Sequence, residues 1–295
     1  MNEEVEDDNF DIDWLNERYP FDAEARAKGL ETKVLNSLED KEKVTLVDVG
    51  AGTGSNCLYF VEQIPQNQKW YLVEQNADLR NATIKRFRGY ANYHKYSFER
   101  KKDKLSIGSK HKKIEVHLLN DSLLKLDTLV NLKKVDLVLA NAVFDLFSAA
   151  QISQFVDLIT TNKLSFFTTL TYQGMVFSPD DPFDDLFVNT YHAHMERIQA
   201  FGKALGKNAN EYMVDAFNKN GLKVATAPST WQVGRDDIKM HYYLLNFMEN
   251  ALEEMNMKEE MQANFQKWLQ RKKDLIITRQ QRLEVEHLDI FVKAK

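Results

Sequence analysis

The chain is poor in cysteine, with a single residue, Cys57, among 295. That excludes an internal disulfide and any cysteine-rich zinc site. Long hydrophobic runs are absent too, and no uninterrupted apolar stretch approaches the ~18 residues that a membrane-spanning helix needs. The opening stretch "MNEEVEDDNFDID" has neither the basic region nor the apolar core of a secretory signal. These absences give the expectation of a soluble protein in the reducing cytoplasm. There is no excess of positive charge: the net charge of −5 gives no global pull toward nucleic acid or an anionic membrane. No internal repeat and no Ser/Gly linker divides the chain.

What is present is ordinary for a globular protein, with 43% apolar and 28% charged residues. The charge is unevenly spread. Residues 85–113 carry eleven Lys and Arg against two acids, Glu99 and Asp103, so the rest of the chain carries −14. Residues 1–13 hold seven acids and little apolar surface, a composition that predicts disorder. Trp14, Leu15, Tyr19 and Phe21 are the first large apolar anchors. Asp22, two residues after Pro20, reads as the N-cap of an amphipathic helix through "AEARAKGLETKVLNSL".

An alternation then begins. "KVTLVDVG" (43–50), "KWYLVEQ" (69–75), "IEVHLLN" (114–120), "VDLVLANAV" (135–143) and "KLSFFTTLTY" (163–172) read as strands. Segments of helical spacing separate them, among them "SNCLYFVEQI" (55–64), "ADLRNATIKRF" (77–87) and "AAQISQFVDLIT" (149–160). Strands alternating with helices predict βαβ units and a parallel sheet, and near-continuous apolar strands predict burial on both faces. Beyond Tyr172, "QGMVFSPDDPFDD" (173–185) reads as loop and residues 186–205 as helix. "LKVATAPSTWQV" (222–233) reads as a strand interrupted by Pro228, and "RLEVEHLDIFVKA" (282–294) as a last strand. The expectation is one α/β domain over 14–295. It comprises an N-terminal helical cap (14–42), a ligand-binding core (43–172), a helical insertion or lid (173–207) and a C-terminal part (208–295).

The first strand ends in "DVGAGTGSN", with Gly50, Gly52 and Gly54 alternating. In an open parallel sheet, ligands bind past the carboxyl ends of the strands. Glycines there permit positive φ and close approach of a ligand, and the following helix offers free N–H groups to an anion. The spacing G-x-G-x-G departs from the dinucleotide pattern G-x-G-x-x-G/A, because position 55 is Ser. Asp48, two residues before the first glycine, suits a cationic amine better than a diphosphate. Glu74, at the end of the second strand, stands where a carboxylate accepts hydrogen bonds from a ribose diol. A ribose, an amine and a carboxylate in one ligand describe S-adenosylmethionine.

The ordered series "VDVGAGTG", "LVEQN", "LLNDSLL" and "VDLVLANAVFDLF" resembles the motifs of the class I S-adenosylmethionine-dependent methyltransferases over roughly residues 43–172. The segment Trp14, Leu15, Arg18, Asp22, Ala25 and Arg26 also resembles the opening of a bacterial subgroup that brings no acceptor with it. The resemblance implies a Rossmann-like, seven-stranded, mostly parallel sheet with helices on both faces and an antiparallel last strand. It implies that Gly50, Gly52 and Gly54 line the methionine and ribose portion, that Asp48 helps hold the amine, and that Glu74 takes the ribose hydroxyls. It further implies that Asp121 bonds the adenine amine, with the backbone of Ser122 on the ring, and that the chain near Asn141 bounds the methionine side. On the residues alone, Asp121 also reads as a helix N-cap.

Methyl transfer to a hydroxyl or an amine also needs a base. The candidates past strands four and five are Asp145 and Tyr172, which also read as a helix cap and a core aromatic. In "YHAHMER", His192 and Glu196 share one helix face while His194 points elsewhere. His192 and His194 are candidates for base or acceptor contact, and an ordinary surface or interface role stands beside that reading. A metal site would need further ligands, such as Asp180, Asp181, Asp184 and Asp185, and none is assigned. A small-molecule acceptor, methylated on oxygen or nitrogen, is expected; nucleic acid and membrane partners are not. Residues 86–113 interleave basic residues with Tyr90, Tyr93, Tyr96 and Phe98, which keeps an RNA-modifying enzyme as an alternative. The plainer reading of that stretch is a mobile insertion. A nicotinamide oxidoreductase and a cofactor-binding scaffold without turnover are the remaining alternatives.

Overall fold

The computed structural model describes residues 11–199 and 202–294. Residues 1–10, most of the stretch expected to be disordered, lie outside the described residues. Asp11 to Asp13 open a helix instead: the Asp11 side chain caps α1 (Ile12–Ala25) by accepting from the Asp13 N–H. Asp22 is therefore no N-cap; it lies inside α1 and is buried. The single helix expected after it is two, because the chain leaves helical geometry at Arg26 before α2 (Lys28–Asn36) begins. The break is held from the far end of the chain, where Asp289 Oδ2 accepts from the Ala27 N–H at 2.9 Å.

β1 (Lys43–Val49), α3 (Ser55–Gln63), β2 (Asn67–Val73) and α4 (Ala77–Tyr93) follow the expected alternation. The basic segment is not a mobile insertion. α4 continues to Tyr93, and β3 (Ser97–Lys101) and β4 (Lys104–Gly108) form a hairpin that pairs antiparallel onto β5 (Lys113–Leu119). The hairpin is anchored by Leu105 and Ile107, which are buried in the core while its cations stay outside.

Next come α5 (Leu126–Leu129), β6 (Leu137–Asn141), α6 (Ala149–Thr161) and β7 (Phe166–Ser178). β7 overruns the expected strand end at Tyr172 by six residues, because "QGMVFS" pairs with the start of the last strand. α7 (Asp184–Met195) and a hairpin of two-residue strands, β8 (Ile198–Gln199) and β9 (Gly202–Lys203), replace the continuous helix read over 186–205. α8 (Ala209–Lys219), β10 (Val224–Pro228), β11 (Trp231–Val233), α9 (Ile238–Glu253), α10 (Glu259–Ile277) and β12 (Arg282–Val292) complete the chain. β10 ends at Pro228, as expected for a residue that cannot donate to the ladder.

The main sheet runs β10-β12-β7-β6-β1-β2-β5-β4-β3, with β11 also on β12. β5, β2, β1, β6 and β7 are parallel, and β12 lies antiparallel between β7 and β10. The expected seven-stranded, Rossmann-like sheet with a reversed last strand is thus present, and β3, β4 and β11 extend it. Alternate β1 residues serve opposite faces. Val44 and Leu46 pack with α2, α3 and α4, while Val47 and Val49 pack with α6 and α8. A third apolar cluster covers the long β7–β12 ribbon with α7, α9, α10 and Trp14 of α1. β1 is the strand from which the order runs both ways, through β2 and through β6, so the crevice at its carboxyl end is where a ligand is expected.

Candidate functional site

A cavity of about 530 Å³ opens past the carboxyl ends of β1, β2, β5 and β6, a size that suits a small molecule. Gly50, Gly52, Glu74, Asp121, Ser122 and Asn141 line it. α1 adds Leu15, Arg18 and Asp22, the stretch after β6 adds Val143, Leu146 and Phe147, and the start of α4 adds Asn76 and Asp78.

The glycine loop shows why side chains are excluded. Gly50, Gly52 and Gly54 all have positive φ, at 63°, 53° and 73°, a region that costs a non-glycine residue strain. A Cβ at Gly50 would stand 2.8 Å from Val143 Cγ2, and one at Gly54 2.8 Å from Thr83 Cγ2. Gly54 therefore serves loop-to-α4 packing and does not line the cavity. A Cβ at Gly52 would meet only Leu15 Cδ1, at 3.8 Å, so that face is open toward the cavity.

Glu74 is tied to this loop. Its Oε2 accepts from the Gly52 N–H at 2.8 Å and its Oε1 from the Asn76 N–H at 2.9 Å. Asn76 caps α4 through Oδ1, which accepts from the Asp78 and Leu79 N–H groups. At the tip of β5, the Ser122 N–H and Lys125 both bond Asp121 Oδ1, which holds its carboxyl below the usual range. The cap of the short helical turn at 123–125 is Ser122, whose Oγ accepts from the Leu124 N–H, and not Asp121.

Asp48 lies behind the loop, 1% exposed. Its Oδ1 accepts from Asn56 Nδ2 at 2.7 Å, and its Oδ2 has no partner among the described residues. Burial pushes its carboxyl up to about 7, against the opposing Asn56 bond and the Arg26 charge. From Asn56 the polar chain runs on. Arg26 Nη2 donates to Asn56 Oδ1 at 2.8 Å and reaches Asn141 Oδ1 at 3.4 Å. Asn141 Nδ2 donates to Asp22 Oδ2 at 3.1 Å, and Arg18 grips Asp22 through Nε and Nη2. The Arg26 guanidinium sits 4.2 Å from the Tyr59 ring centroid, with Nε and Nη1 buried and unpartnered among the described residues. α3 starts without a side-chain cap, leaving its first N–H groups beside Ser55 and Asn56 on the cavity wall.

The four acceptor-side candidates do not line the cavity. Asp145 follows Val143 on the 3-10 turn 144–146; its Oδ1 is buried without a partner among the described residues, and burial pushes its carboxyl up to about 6. Tyr172 is buried in β7, and its hydroxyl lies 2.9 Å from His192 Nε2. Burial holds His192 down to about 4, so its ring is neutral near pH 7. His194 is turned away, 2.9 Å from Glu254 at the end of α9. Glu196 meets Asn208, not His192. Among the described residues no group of three or more His, Cys, Asp and Glu is placed to hold a metal ion. Nothing from residues 85–113 lines the cavity.

The sequence reading gave no site role to Arg18, Asp22, Arg26 or Asn56. The first three stand one helical turn apart, at i, i+4 and i+8, a spacing that puts them on one face of α1 and its end; that was the available signal. Asn56, two residues past the last glycine, carried none.

No family model matches the chain, and no curated protein does. Solved structures do. A cyclopropane-fatty-acyl-phospholipid synthase-like protein from Lactobacillus casei superposes with a TM-score of 0.53 at 9% identity, over 94% of this chain and 92% of that one. A putative sarcosine dimethylglycine methyltransferase from Galdieria sulphuraria matches at 0.44 and 11%, over 90% and 84%. A cyclopropane synthase from Mycobacterium tuberculosis matches at 0.43 and 14%, over 89% and 83%. The first of these shares the fold of this chain: a Rossmann-like α/β sheet spanning nearly its whole length.

Proposed function

We propose that the chain is an S-adenosylmethionine-dependent methyltransferase acting on a small-molecule acceptor, at oxygen or nitrogen. The observation that carries the reading is the cavity at the sheet's switch point, where Glu74 is bonded to the bare backbone at Gly52. The donor set suits the cofactor part by part. Glu74 and Asp121 present carboxylates for ribose hydroxyls and an adenine amine. Asp48, behind the loop and outside the lining, favours an ammonium by its charge and not by contact, and the start of α3 suits a carboxylate. Gly52 leaves the room a side chain would fill.

When bound, the cofactor supplies a methyl group already activated on sulfonium sulfur, so the protein's work is to position and desolvate. Asn141 is fixed by Thr169, Asp22 and Arg26 and marks the acceptor side of the cavity. Leu15, Val143, Leu146 and Phe147 exclude water there. Of the base candidates, Asp145 stands nearest the wall in sequence, between the lining residues Val143 and Leu146, and burial raises its carboxyl to about 6, but it does not line the cavity; Tyr172 and the neutral His192 form a bonded pair in the adjoining core. Calorimetry with S-adenosylhomocysteine and, separately, with NADH tests the reading. Binding of the first alone is expected, and binding of NADH instead would replace methyl transfer by hydride chemistry on the same sheet.

A further inference from the structure

Arg18 is held as if for a ligand. Its guanidinium lies 5.0 Å from the Trp231 ring centroid and 5.8 Å from that of Trp14. Nε and Nη2 grip Asp22, and the Asp22 side chain is only 5% exposed. Rotation about the side chain is therefore blocked, while Arg18 itself lines the cavity. The Nη1 edge has no hydrogen-bond partner among the described residues. Behind Arg18, outside the residues that line the cavity, Trp231 Nε1 is buried on a ring 3% exposed and is also unpartnered among the described residues. Indole nitrogen can only donate. Of the two, Arg18 is the one among the lining residues, so it is the donor that an acceptor from outside the chain can reach.

Among the described residues that line the cavity Arg18 is the one cation, against Asp22, Glu74, Asp78 and Asp121, so an anionic group entering it has a single cation to bind. His287, whose ring lies 4.7 Å from that of Trp231, is held neutral near pH 7 by burial and by the Arg18 charge. A planar guanidinium clamped on one edge and stacked on indole presents its other edge as a fork for a carboxylate. The cofactor's own carboxylate has a different partner available, the uncapped start of α3.

We propose that the methyl acceptor is a small carboxylic acid, and that Arg18, held against Trp231, binds the acceptor's carboxylate. This rests on the methyl-transfer reading above, and the test separates the two. Saturation-transfer NMR is run on the protein with S-adenosylhomocysteine, using benzoate, 2- and 4-hydroxybenzoate, anthranilate and phenylacetate, each against its own amide. Saturation of acids and not of their amides is expected, with affinity falling about tenfold or more in Arg18→Lys. S-Adenosylhomocysteine affinity is measured on every sample by calorimetry. If the wild type binds no S-adenosylhomocysteine, the cofactor reading fails. If it does, three results overturn the present inference alone. One is saturation of amides as well as acids, and another is saturation of no acid. The third is an Arg18→Lys variant that loses as much S-adenosylhomocysteine affinity as acid affinity, which would assign Arg18 to the cofactor's carboxylate.

Discussion

Glu74 Oε2 accepts a hydrogen bond from the backbone N–H of Gly52 at 2.8 Å, joining the tip of β2 to the turn that leaves β1. The bond orients one carboxylate edge-on to the cavity and fixes the loop over which a ligand would lie. Removing the carboxylate in Glu74→Ala frees two N–H groups, at Gly52 and Asn76. It is expected to lower S-adenosylhomocysteine affinity by about tenfold or more, with a stability loss of about 1–2 kcal/mol. Glu74→Gln should keep most of the stability and still lose affinity. Calorimetry and urea unfolding separate the two effects.

The three loop glycines should differ under substitution. Gly50→Ala and Gly54→Ala combine a positive φ with a 2.8 Å clash, against Val143 and Thr83, and each is expected to cost about 1–3 kcal/mol in urea unfolding. Gly52→Ala meets only Leu15 at 3.8 Å. It should unfold closer to wild type but bind S-adenosylhomocysteine more weakly, because the new methyl group stands in the cavity.

Asp48 predicts two pH dependences of opposite sign. Its folded carboxyl titrates near 7, above the ordinary value, because it is buried. The folded chain thus retains a proton that the unfolded chain has released, so stability falls progressively from about pH 4 to about pH 7, then no further. Asp48→Asn should raise the melting temperature at about pH 8 relative to wild type, and the gap should close toward about pH 4. In the proposed reading the charged form favours the cofactor's ammonium, so wild-type affinity should fall as the pH drops from about 8 to about 6, while Asp48→Asn binds more weakly and without that slope. Melting curves and calorimetry across this range check both.

A control lies far from the cavity. Lys272 is fully buried and pairs with Asp184, which also accepts from Trp268 Nε1 at 2.7 Å. Asp184→Ala strands that ammonium, and a loss of about 3–5 kcal/mol is expected. Cofactor affinity of the surviving folded fraction should stay at the wild-type value, as measured by calorimetry below the melting transition.

The alternation of strands and helices was legible because each parallel strand is a short apolar run between polar turns, and the reversed last strand came from the family resemblance. Places where the chain pairs at long range were not legible. β7 continues to Ser178 only because β12 lies beside it, and the basic hairpin is ordered only because β5 offers an edge. The glycines, Glu74, Asp121 and Asn141 could be placed at strand tips because the chemistry sits where a strand's carboxyl end is visible in sequence. Asp22 read as a cap because Pro20 precedes it; the structure shows Pro20 inside α1 and Asp22 serving Arg18 and Asn141. No local pattern carries a contact between residues 22 and 141. Likewise, His194 shares "YHAHMER" with His192, yet its partner Glu254 is sixty residues away.

The most direct test of the account is a crystal structure with S-adenosylhomocysteine. The account predicts ribose hydroxyls on Glu74, adenine near Asp121 and Ser122, and the thioether sulfur toward Asn141. A nucleoside bound elsewhere, or one whose ribose does not contact residue 74, would contradict it.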